Sequence, residues 1–324
     1  MDYTKKIIEL RSIINEKLLP LIDNDYIYLD LPYYYNIGDL LIWEGTLSFL
    51  SQTKHRCLYS TNVDNFKYRE IDKNVIIILQ GGGNWGDLWT LHHIFRKKIV
   101  EMYPKNRVII FPQTVYYQDE SNLKDDIEFY NKYPNVTVCT RDNKSFEIMS
   151  RNFKNNKVLL VPDMAFFIDV KFKPKKTDRI LFAKRTDKEL ALNKDIYKEI
   201  PSNAEIHDWP TIEMNVNRQL IINNLNRLVS LSRRIDSLFN SSIRNFLIDI
   251  YWEKIIKPYY INCGINFINS YYEIYSTRLH ISILSILMRK KLHVIDNSYG
   301  KTSSFMNTWF TLDERKDFIN ASLS

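Results

Sequence analysis

Cysteine is scarce in this chain, and long apolar runs are absent. The three cysteines, Cys57, Cys139 and Cys263, lie far apart and form no CxxC pair. This spacing favours neither a zinc knuckle nor a disulfide framework, and it fits a reducing compartment. The longest apolar runs, such as Val75–Leu79, are far too short to span a bilayer, and residues 1–20 lack the apolar block of a signal peptide. We therefore expect a cytoplasmic protein without a metal site.

The basic residues are spread along the chain and give a formal net charge of +7. Nucleic acid, an anionic substrate or an anionic membrane surface would each account for this charge. No recognised nucleic-acid motif is present, so we expect no nucleic-acid partner. Residues 1–20 predict an amphipathic helix with Ile7, Leu10, Ile14 and Leu18 on one face. Such a helix would either pack on the first domain or favour weak, salt-sensitive contact with anionic lipid.

The 324 residues are long enough for two domains, and an apolar content of 45% permits a sizeable core. From Tyr26 onward, short apolar runs alternate with longer helical segments. This pattern predicts an α/β fold with parallel sheets covered on both faces. The expected strands of the first domain are Tyr26–Leu31, Val75–Leu79, Val108–Phe111, Val136–Cys139 and Val158–Val161, with helices between them that include Asp39–Gln52 and Leu88–Tyr103.

A lysine-rich segment with Pro174 interrupts this alternation and indicates an interdomain linker at residues 171–178. It separates a first domain at 1–170 from a second domain at 179–300. The segment 301–324 is expected to be helical and to pack back on the first domain. The expected elements of the second domain are strands at Ile180–Ala183, Ile265–Asn269 and Leu292–Asp296, a helical middle at Thr211–Lys257 and a helix at Leu279–Arg289.

Glycines and polar residues follow the predicted strands at their carboxyl ends, where open parallel sheets bind ligands. Each group alone is also typical of turns and helix caps. Their joint placement at one edge of a sheet favours a ligand site. The groups are Asn36–Asp39, Gly81–Asp87, Pro112–Thr114, Thr140–Asp142 and Pro162–Asp163.

The segment Gly81–Gly86 matches the GxGxxG pattern, in which glycines let backbone N–H groups approach a phosphate or a sugar closely. We do not expect a dinucleotide there. Trp85 would crowd a pyrophosphate, and Gln113 stands where a ribose-binding acid is expected. A structural glycine turn is the alternative interpretation.

A cationic group near the C-terminus is the strongest functional signal. Arg278 and His280 flank the start of a predicted helix, and Lys301 lies in the loop after the next strand. A helix N-terminus favours anions and a neutral imidazole, which can act as a general base. With Arg141 at the end of an earlier strand, these groups suit a small substrate with several negative charges. For Arg141 alone, a salt bridge to Asp142 is the structural alternative.

Five motifs, in this order along most of the chain, resemble the polysaccharide pyruvyl transferase family. They are Asn36-Ile37-Gly38-Asp39, Gln80-Gly81-Gly82-Gly83-Asn84, Thr140-Arg141-Asp142, Arg278-Leu279-His280 and Asp296-Asn297-Ser298-Tyr299-Gly300-Lys301. The resemblance implies two Rossmann-like doubly wound domains that face each other across a cleft, the GT-B architecture. It also implies phosphoenolpyruvate as donor and a sugar of a bacterial surface polysaccharide, or of its free or lipid-linked precursor, as acceptor. The implied product is a cyclic pyruvate ketal.

The resemblance also implies roles for individual residues. By motif, Arg141, Arg278, His280 and Lys301 are expected to bind the donor and to catalyse the transfer. We further expect Asp39 to act in catalysis and Asn297 and Ser298 to bind the donor. The glycine-rich segment is expected to border the acceptor or to form the loop beside it, through Gly81, Gly82, Gly83, Asn84 and Asp87. We expect no cofactor and no metal.

Two other functions remain open. A nucleotide-sugar glycosyltransferase of the same fold would also use basic residues, because it must hold a diphosphate leaving group. A non-catalytic carbohydrate- or membrane-binding protein would account for the 21 tyrosines and the positive charge. For the pyruvyl transferase, we expect action in the cytoplasm, at the inner face of the membrane if the acceptor is lipid-linked.

Overall fold

Two parallel sheets organise the chain in the computed structural model, which describes residues 2–185, 200–211, 247–296 and 300–316. The first sheet has the strand order β2-β1-β3-β5-β6-β7, with β4 paired to β5, and the second has the order β11-β10-β8-β9. All of these pairings are parallel, which confirms the predicted α/β class. The strands are β1 (Tyr26–Leu29), β2 (Cys57–Thr61), β3 (Ile76–Leu79), β4 (Gly82–Gly86), β5 (Val108–Tyr116), β6 (Val136–Thr140), β7 (Lys157–Leu160), β8 (Ile180–Ala183), β9 (Glu205–His207), β10 (Glu273–Ser276) and β11 (Lys291–Val294).

The helices that cover the sheets begin at side-chain caps in several places. Asp2, Asn36, Asp119 and Asp142 each accept a hydrogen bond from a backbone N–H of the first turn. The α-helices are α1 (Tyr3–Leu18), α2 (Ile37–Leu50), α3 (Thr90–Met102), α4 (Glu120–Tyr130), α5 (Asn143–Asn152), α6 (Lys257–Asn269), α7 (Leu279–Leu287), α8 (Lys301–Trp309) and α9 (Leu312–Lys316), with 3₁₀ turns at Leu19–Leu21 and Met164–Phe167 and a π-helical turn at Trp252–Ile256.

One hydrophobic core joins the two sheets. It contains inward-facing residues of both sheets, such as Tyr28 and Ile274, together with buried faces of α1, α2, α6 and α7. A second cluster covers the opposite face of the first sheet, and a small third cluster covers the opposite face of the second sheet. Residues 168–179 carry no helix or strand and connect the two sheets.

The predicted apolar face of the N-terminal helix is buried. Ile7, Leu10, Ile14 and Leu18 of α1 are at most 8% exposed and belong to the core that joins the sheets. The face that an interfacial helix would insert into lipid is therefore covered by the protein core. Among the described residues, no helix is long and apolar enough to cross a bilayer.

The predicted strand at Ile265–Asn269 is wrong, because these residues form the C-terminal part of α6. The strand of this region is β10, which begins four residues later. Ile261, Ile265 and Ile268 are all buried, and their spacing of three to four residues is that of a helix face. The window Ile265–Asn269 spans only five residues, which was too short to show this period. The predicted helical middle lies mostly outside the described residues, because residues 212–246 are not among them.

The strands of the structure differ from the prediction in further places. The sequence analysis did not identify β2 and β9, and β5 continues through Pro112 to Tyr116. Pro112 is accommodated because the pairing of β5 with β6 is irregular between Ile110 and Gln113. The glycine-rich segment, predicted as a loop, forms strand β4 from Gly82 to Gly86 and pairs with β5.

Candidate active site

The carboxyl edges of both sheets border one pocket of about 350 Å³. One side comes from the loops and helix starts of the first sheet, and the other side comes from those of the second sheet. This is the edge where open parallel sheets bind ligands. The lining residues are Tyr34, Asn36, Asp39, Gly83, Asn84, Trp89 and His92 from the first side, and Arg185, Trp209, Arg278, Leu279, His280 and Lys301 from the second.

Most of the residues predicted from the sequence lie at this pocket. Asp39, Gly83, Asn84, Arg278, His280 and Lys301 line it. Arg141 lies directly behind the lining, within reach of His280 and Gly83. Gly81, Gly82 and Asp87 lie outside the lining, and the predicted donor-binding residues Asn297 and Ser298 fall outside the described residues.

His280 stands in the first turn of α7 and is oriented by a buried carboxylate. Its Nε2 lies 3.5 Å from Oδ2 of Asp163, which is 1% exposed. With the Nε2 proton directed at Asp163, the lone pair of a neutral ring is on Nδ1. Nδ1 faces Gly38 at the start of α2, because a Cβ at Gly38 would lie only 2.3 Å from it. The glycine of the Asn36–Asp39 motif therefore makes room for the His280 ring.

Asp163 also pairs with Arg141, so one carboxylate supports two functional side chains. Nη1 of Arg141 donates to Oδ2 of Asp163 at 2.5 Å, and its Nε donates to Oγ1 of Thr114 at 2.8 Å. Burial by itself would raise the pKa of Asp163, but Arg141 and His280 outweigh burial and hold the pKa well below its ordinary value. Arg141 thus pairs with Asp163, whereas Asp142 caps α5 through the backbone N–H of Ser145.

The remaining end of the Arg141 guanidinium lies close to a second cation. A Cβ placed on Gly83 would lie 2.9 Å from Nη2 of Arg141 and 2.3 Å from Nζ of Lys301. Both cationic groups therefore approach the Cα atom of Gly83 as closely as only a glycine permits. This arrangement places Lys301, from the first turn of α8, against β4 of the first sheet.

Arg278 is held by a carboxylate that sequence reasoning did not identify. Its Nε and Nη2 donate to the two oxygens of Asp208, with Nη2 to Oδ2 at 2.6 Å. Asp208 follows β9 directly and is 1% exposed, and Arg278 is 7% exposed. The bidentate pair fixes the plane of the guanidinium. Because β9 was not predicted, no pattern in the sequence pointed to Asp208.

Two basic lining residues, Arg185 and His92, were not predicted. Arg185 follows β8, is 7% exposed and donates its backbone N–H to Oγ1 of Thr277. His92 is in the first turn of α3, and its Nδ1 lies 2.6 Å from Oδ1 of the buried Asp30. Arg96 also pairs with Asp30, through Nη2 at 2.8 Å. The basic residue after a strand could have indicated Arg185, but nothing in the local sequence linked His92 to Asp30.

Asp39 lies in the first turn of α2 and interacts with a neighbouring tyrosine of the pocket. Burial and the nearby carboxylates of Asp39 and Asp30 raise the pKa of Tyr34 well above its ordinary value. Tyr34 therefore stays protonated and donates a hydrogen bond to Asp39. The carboxylate of Asp39 thus forms part of the pocket wall beside Tyr34.

Asp87, the last residue of the glycine-rich candidates, braces the loop after β5. Its carboxylate accepts hydrogen bonds from the backbone N–H groups of Gln118 and Asp119 and from the amide of Asn122. These bonds keep the pKa of Asp87 below its ordinary value although partial burial acts in the opposite direction.

Within the described ranges, no three metal-ligating side chains come together.

A family model for polysaccharide pyruvyl transferase matches residues 36–299 of this chain. Among curated proteins, EpsO of Bacillus subtilis, named as a candidate pyruvyl transferase, is 34% identical over 95% of this chain and 93% of its own length. Pyruvyl transferase 1 of Schizosaccharomyces pombe is 27% identical over 88% of this chain and 70% of its own length.

The fold of this chain is also found in a solved structure. The crystal structure of an uncharacterized protein from Klebsiella pneumoniae matches it with a TM-score of 0.57 and 22% identity, over 98% of both chains. At this level of identity the match concerns the fold alone.

The matched family model spans the pocket residues from Asn36 to His280, and one relative is more than 30% identical over nearly the whole chain. The chain is therefore an enzyme of the polysaccharide pyruvyl transferase family.

Proposed function

We propose that this enzyme transfers the pyruvyl group of phosphoenolpyruvate to a sugar of a bacterial surface polysaccharide or its precursor, forming a cyclic ketal. The observation that carries the proposal is the cationic wall of the pocket, where Arg278 and Lys301 converge with Arg185 beside His280. Phosphoenolpyruvate carries a carboxylate and a phosphate, and charge-assisted hydrogen bonds to arginine and lysine suit both. A pocket of about 350 Å³ is large enough for this donor and part of a sugar.

Donor binding would draw on cations from both sheets. Arg278 and Lys301 line the pocket, and Arg141 lies behind Lys301 with Nη2 directed towards Gly83. We assign these residues, together with Asn297 and Ser298 that precede Lys301 in sequence, to the donor. The guanidinium and ammonium groups would also stabilise the charge that develops on the departing phosphate.

The reaction needs three proton movements. A proton adds to the methylene carbon of the enol, and the first sugar hydroxyl attacks the central carbon while it loses its proton. The C–O bond to phosphate then breaks, and a second hydroxyl of the same sugar attacks the same carbon and releases its proton. One hydroxyl proton restores the group that protonated the carbon, and the other leaves with inorganic phosphate. No metal ion or cofactor is required by this scheme.

His280 is the proposed proton-transfer group for a hydroxyl. Its ring is oriented by Asp163 with Nδ1 on the side of Gly38, so a neutral ring would present a lone pair at a defined position. Asp39 is at the same pocket. Either Asp39 or His280 would deliver the proton to the carbon.

The arrangement of the sheets supports a GT-B-like architecture as part of this proposal. Both sheets are parallel, and residues after strands of each sheet face the same pocket. A cytoplasmic location is supported by the three cysteines, none of which forms a disulfide, because reduced thiols are usual in that compartment. Because the apolar face of α1 is buried, any membrane contact near a lipid-linked acceptor would rest on the net charge of +7 and would weaken with salt.

The decisive experiment measures phosphate release from phosphoenolpyruvate in the presence of methyl glycosides of common hexoses. The proposal predicts phosphate and pyruvylated glycoside in equal amounts. Consumption of a nucleotide sugar, with phosphoenolpyruvate intact, would instead identify a glycosyltransferase.

The His280→Ala variant tests the assigned proton transfer in the same assay. Turnover should fall by about a hundredfold or more, which is the usual effect of losing a general acid or base. The matched control is His293→Ala, because His293 also pairs with a carboxylate, Glu273, but lies outside the pocket lining. The control should change thermal stability and not turnover. A folded His280→Ala enzyme with near-full activity would remove His280 from the mechanism.

A further inference from the structure

Trp89 differs from the other tryptophans of the chain in its exposure. Its side chain is 42% exposed, whereas four of the six tryptophans are at most 9% exposed and Trp309 is half-buried. Burial of a large indole is strongly favourable, so a ligand that covered this indole would gain binding free energy. Trp89 is at the same time one of the residues that line the pocket.

The position of Trp89 is determined by the start of α3. Trp89 directly precedes this helix. Three residues later, His92 is anchored to the buried Asp30. One turn further, Arg96 is fully buried, pairs with Asp30 and donates to Oδ1 of Asn84 at 2.6 Å. The backbone at Trp89 is therefore held in place by the anchored residues of the helix that follows it.

The two sides of the pocket differ in chemistry. The second-sheet side supplies Arg185, Arg278 and Lys301 beside the buried Trp209, whereas the first-sheet side supplies Asp39 and His92 and the two more accessible aromatic residues, Tyr34 and Trp89. A small donor that carries a carboxylate and a phosphate would occupy the cationic side. A sugar ring is amphipathic, with C–H groups on its face and hydroxyls at its edge, so its face packs well on an aromatic ring.

We propose that Trp89 is an acceptor-binding residue whose indole packs against the C–H face of the acceptor sugar. This inference rests on the proposed function, because it takes the cationic side to be filled by the donor. It makes Trp89 important for the affinity of the acceptor and unimportant for the affinity of phosphoenolpyruvate.

The kinetic test compares Trp89→Ala and Trp89→Phe with Leu91→Ala. Leu91 is 58% exposed, lies two residues away and is not part of the pocket lining, so it is a matched control. With the most active methyl glycoside, Trp89→Ala should raise the KM of the glycoside by about five- to tenfold, and Trp89→Phe should restore most of the affinity. The KM of phosphoenolpyruvate should stay the same in all three variants. An unchanged glycoside KM in Trp89→Ala would overturn the proposal.

A binding measurement without phosphoenolpyruvate separates this inference from the proposed function. Methyl glycosides should change the intrinsic tryptophan fluorescence of the wild-type enzyme, because an exposed indole would become covered by the sugar. The change should be lost in Trp89→Phe and kept in Leu91→Ala. A response that persists in Trp89→Phe, or no response of the wild-type enzyme to any glycoside at tens of millimolar, would overturn the inference whatever donor the enzyme uses.

Discussion

Each arginine assigned to the donor is paired with its own buried aspartate. Asp163 follows β7 of the first sheet and holds Arg141, and Asp208 follows β9 of the second sheet and holds Arg278. A buried guanidinium without a partner is costly, and a paired guanidinium is fixed in orientation. In the proposed function, the aspartates are therefore positioning residues, and the arginines are the groups that would meet the anion of the donor.

Replacing Asp208 by asparagine should weaken donor binding. Both guanidinium N–H groups of Arg278 now donate to carboxylate oxygens. In the variant, one of them would face the NH₂ group of the amide, which cannot accept a hydrogen bond, so Arg278 would lose its orientation. We expect the KM of phosphoenolpyruvate to rise by about tenfold, with a smaller effect on kcat. Steady-state kinetics over a range of donor concentrations measures this split.

Asp126→Asn is the matched control for that change. Asp126 is 3% exposed and pairs with His93 and Lys97, and it lies outside the pocket lining. This control should lower thermal stability and leave the donor KM unchanged. If Asp208→Asn has the same profile as the control, Asp208 has only a structural role.

At the level of elements, the start of α2 shows how four consecutive residues build one corner of the pocket. Asn36 caps the helix by accepting from the N–H of Gly38, and Ile37 packs against Gly264 of α6. Gly38 leaves room for the His280 ring, and Asp39 faces the pocket. The Asn36–Asp39 motif therefore joins the first sheet to the second sheet beside His280 and Asp39, the groups proposed to transfer protons.

Alanine substitutions at two glycines of α2 should affect different properties of the enzyme. In Gly38→Ala, the new methyl group would push the His280 ring aside, and a displacement of about 1 Å can cost about a hundredfold in rate. In Gly45→Ala, the methyl group would lie 1.9 Å from the carbonyl oxygen of Met164, so helix and 3₁₀ turn must separate. Overpacking of this kind costs about 1–3 kcal/mol of stability.

Chemical denaturation and turnover per folded molecule distinguish the two effects. We expect Gly38→Ala to lose activity with a modest change in the free energy of unfolding. Gly45→Ala should lose stability and keep its turnover at low temperature. Full activity of Gly38→Ala would contradict the placement of His280 against α2.

At the level of the whole molecule, the shared core determines how the chain unfolds. Among the described residues, both sheets and the helices α1, α2, α6, α7 and α8 contribute to one cluster. Helix α8 adds hydrogen bonds from Ser304 to Asp142 and from Trp309 to the carbonyl of Arg141. Neither sheet can lose its packing without exposing apolar surface of the other. The two sheets should therefore unfold together.

Calorimetry should show a single unfolding transition whose calorimetric and van't Hoff enthalpies agree. Val138→Ala removes core volume from the first sheet and Leu292→Ala from the second, and both residues are fully buried. Each variant should lower the same transition by a similar amount, because each leaves a cavity worth about 1–4 kcal/mol. Two separate transitions, each sensitive to one variant, would show independent domains.

The amino-acid sequence by itself determined the α/β class and the position of the pocket along the chain. Strands and caps are local patterns, and the carboxyl ends of parallel strands meet at one edge, so Asp39, Gly83, Arg278, His280 and Lys301 could be placed from spacing alone. The helix at Lys257–Asn269 was not predicted, because its last five residues are too few to show the helical period of apolar positions.

The tertiary structure alone decided which side chains support those residues. Asp163 is separated from Arg141 by 22 positions and from His280 by more than a hundred, and Asp208 is 70 positions from Arg278. Such pairs form because folding removes the charges from water and each must find a partner within hydrogen-bond reach. Linear spacing does not encode that choice. For the same reason, Arg185 and Trp89 became candidates for ligand contact only when the two sheets were brought together.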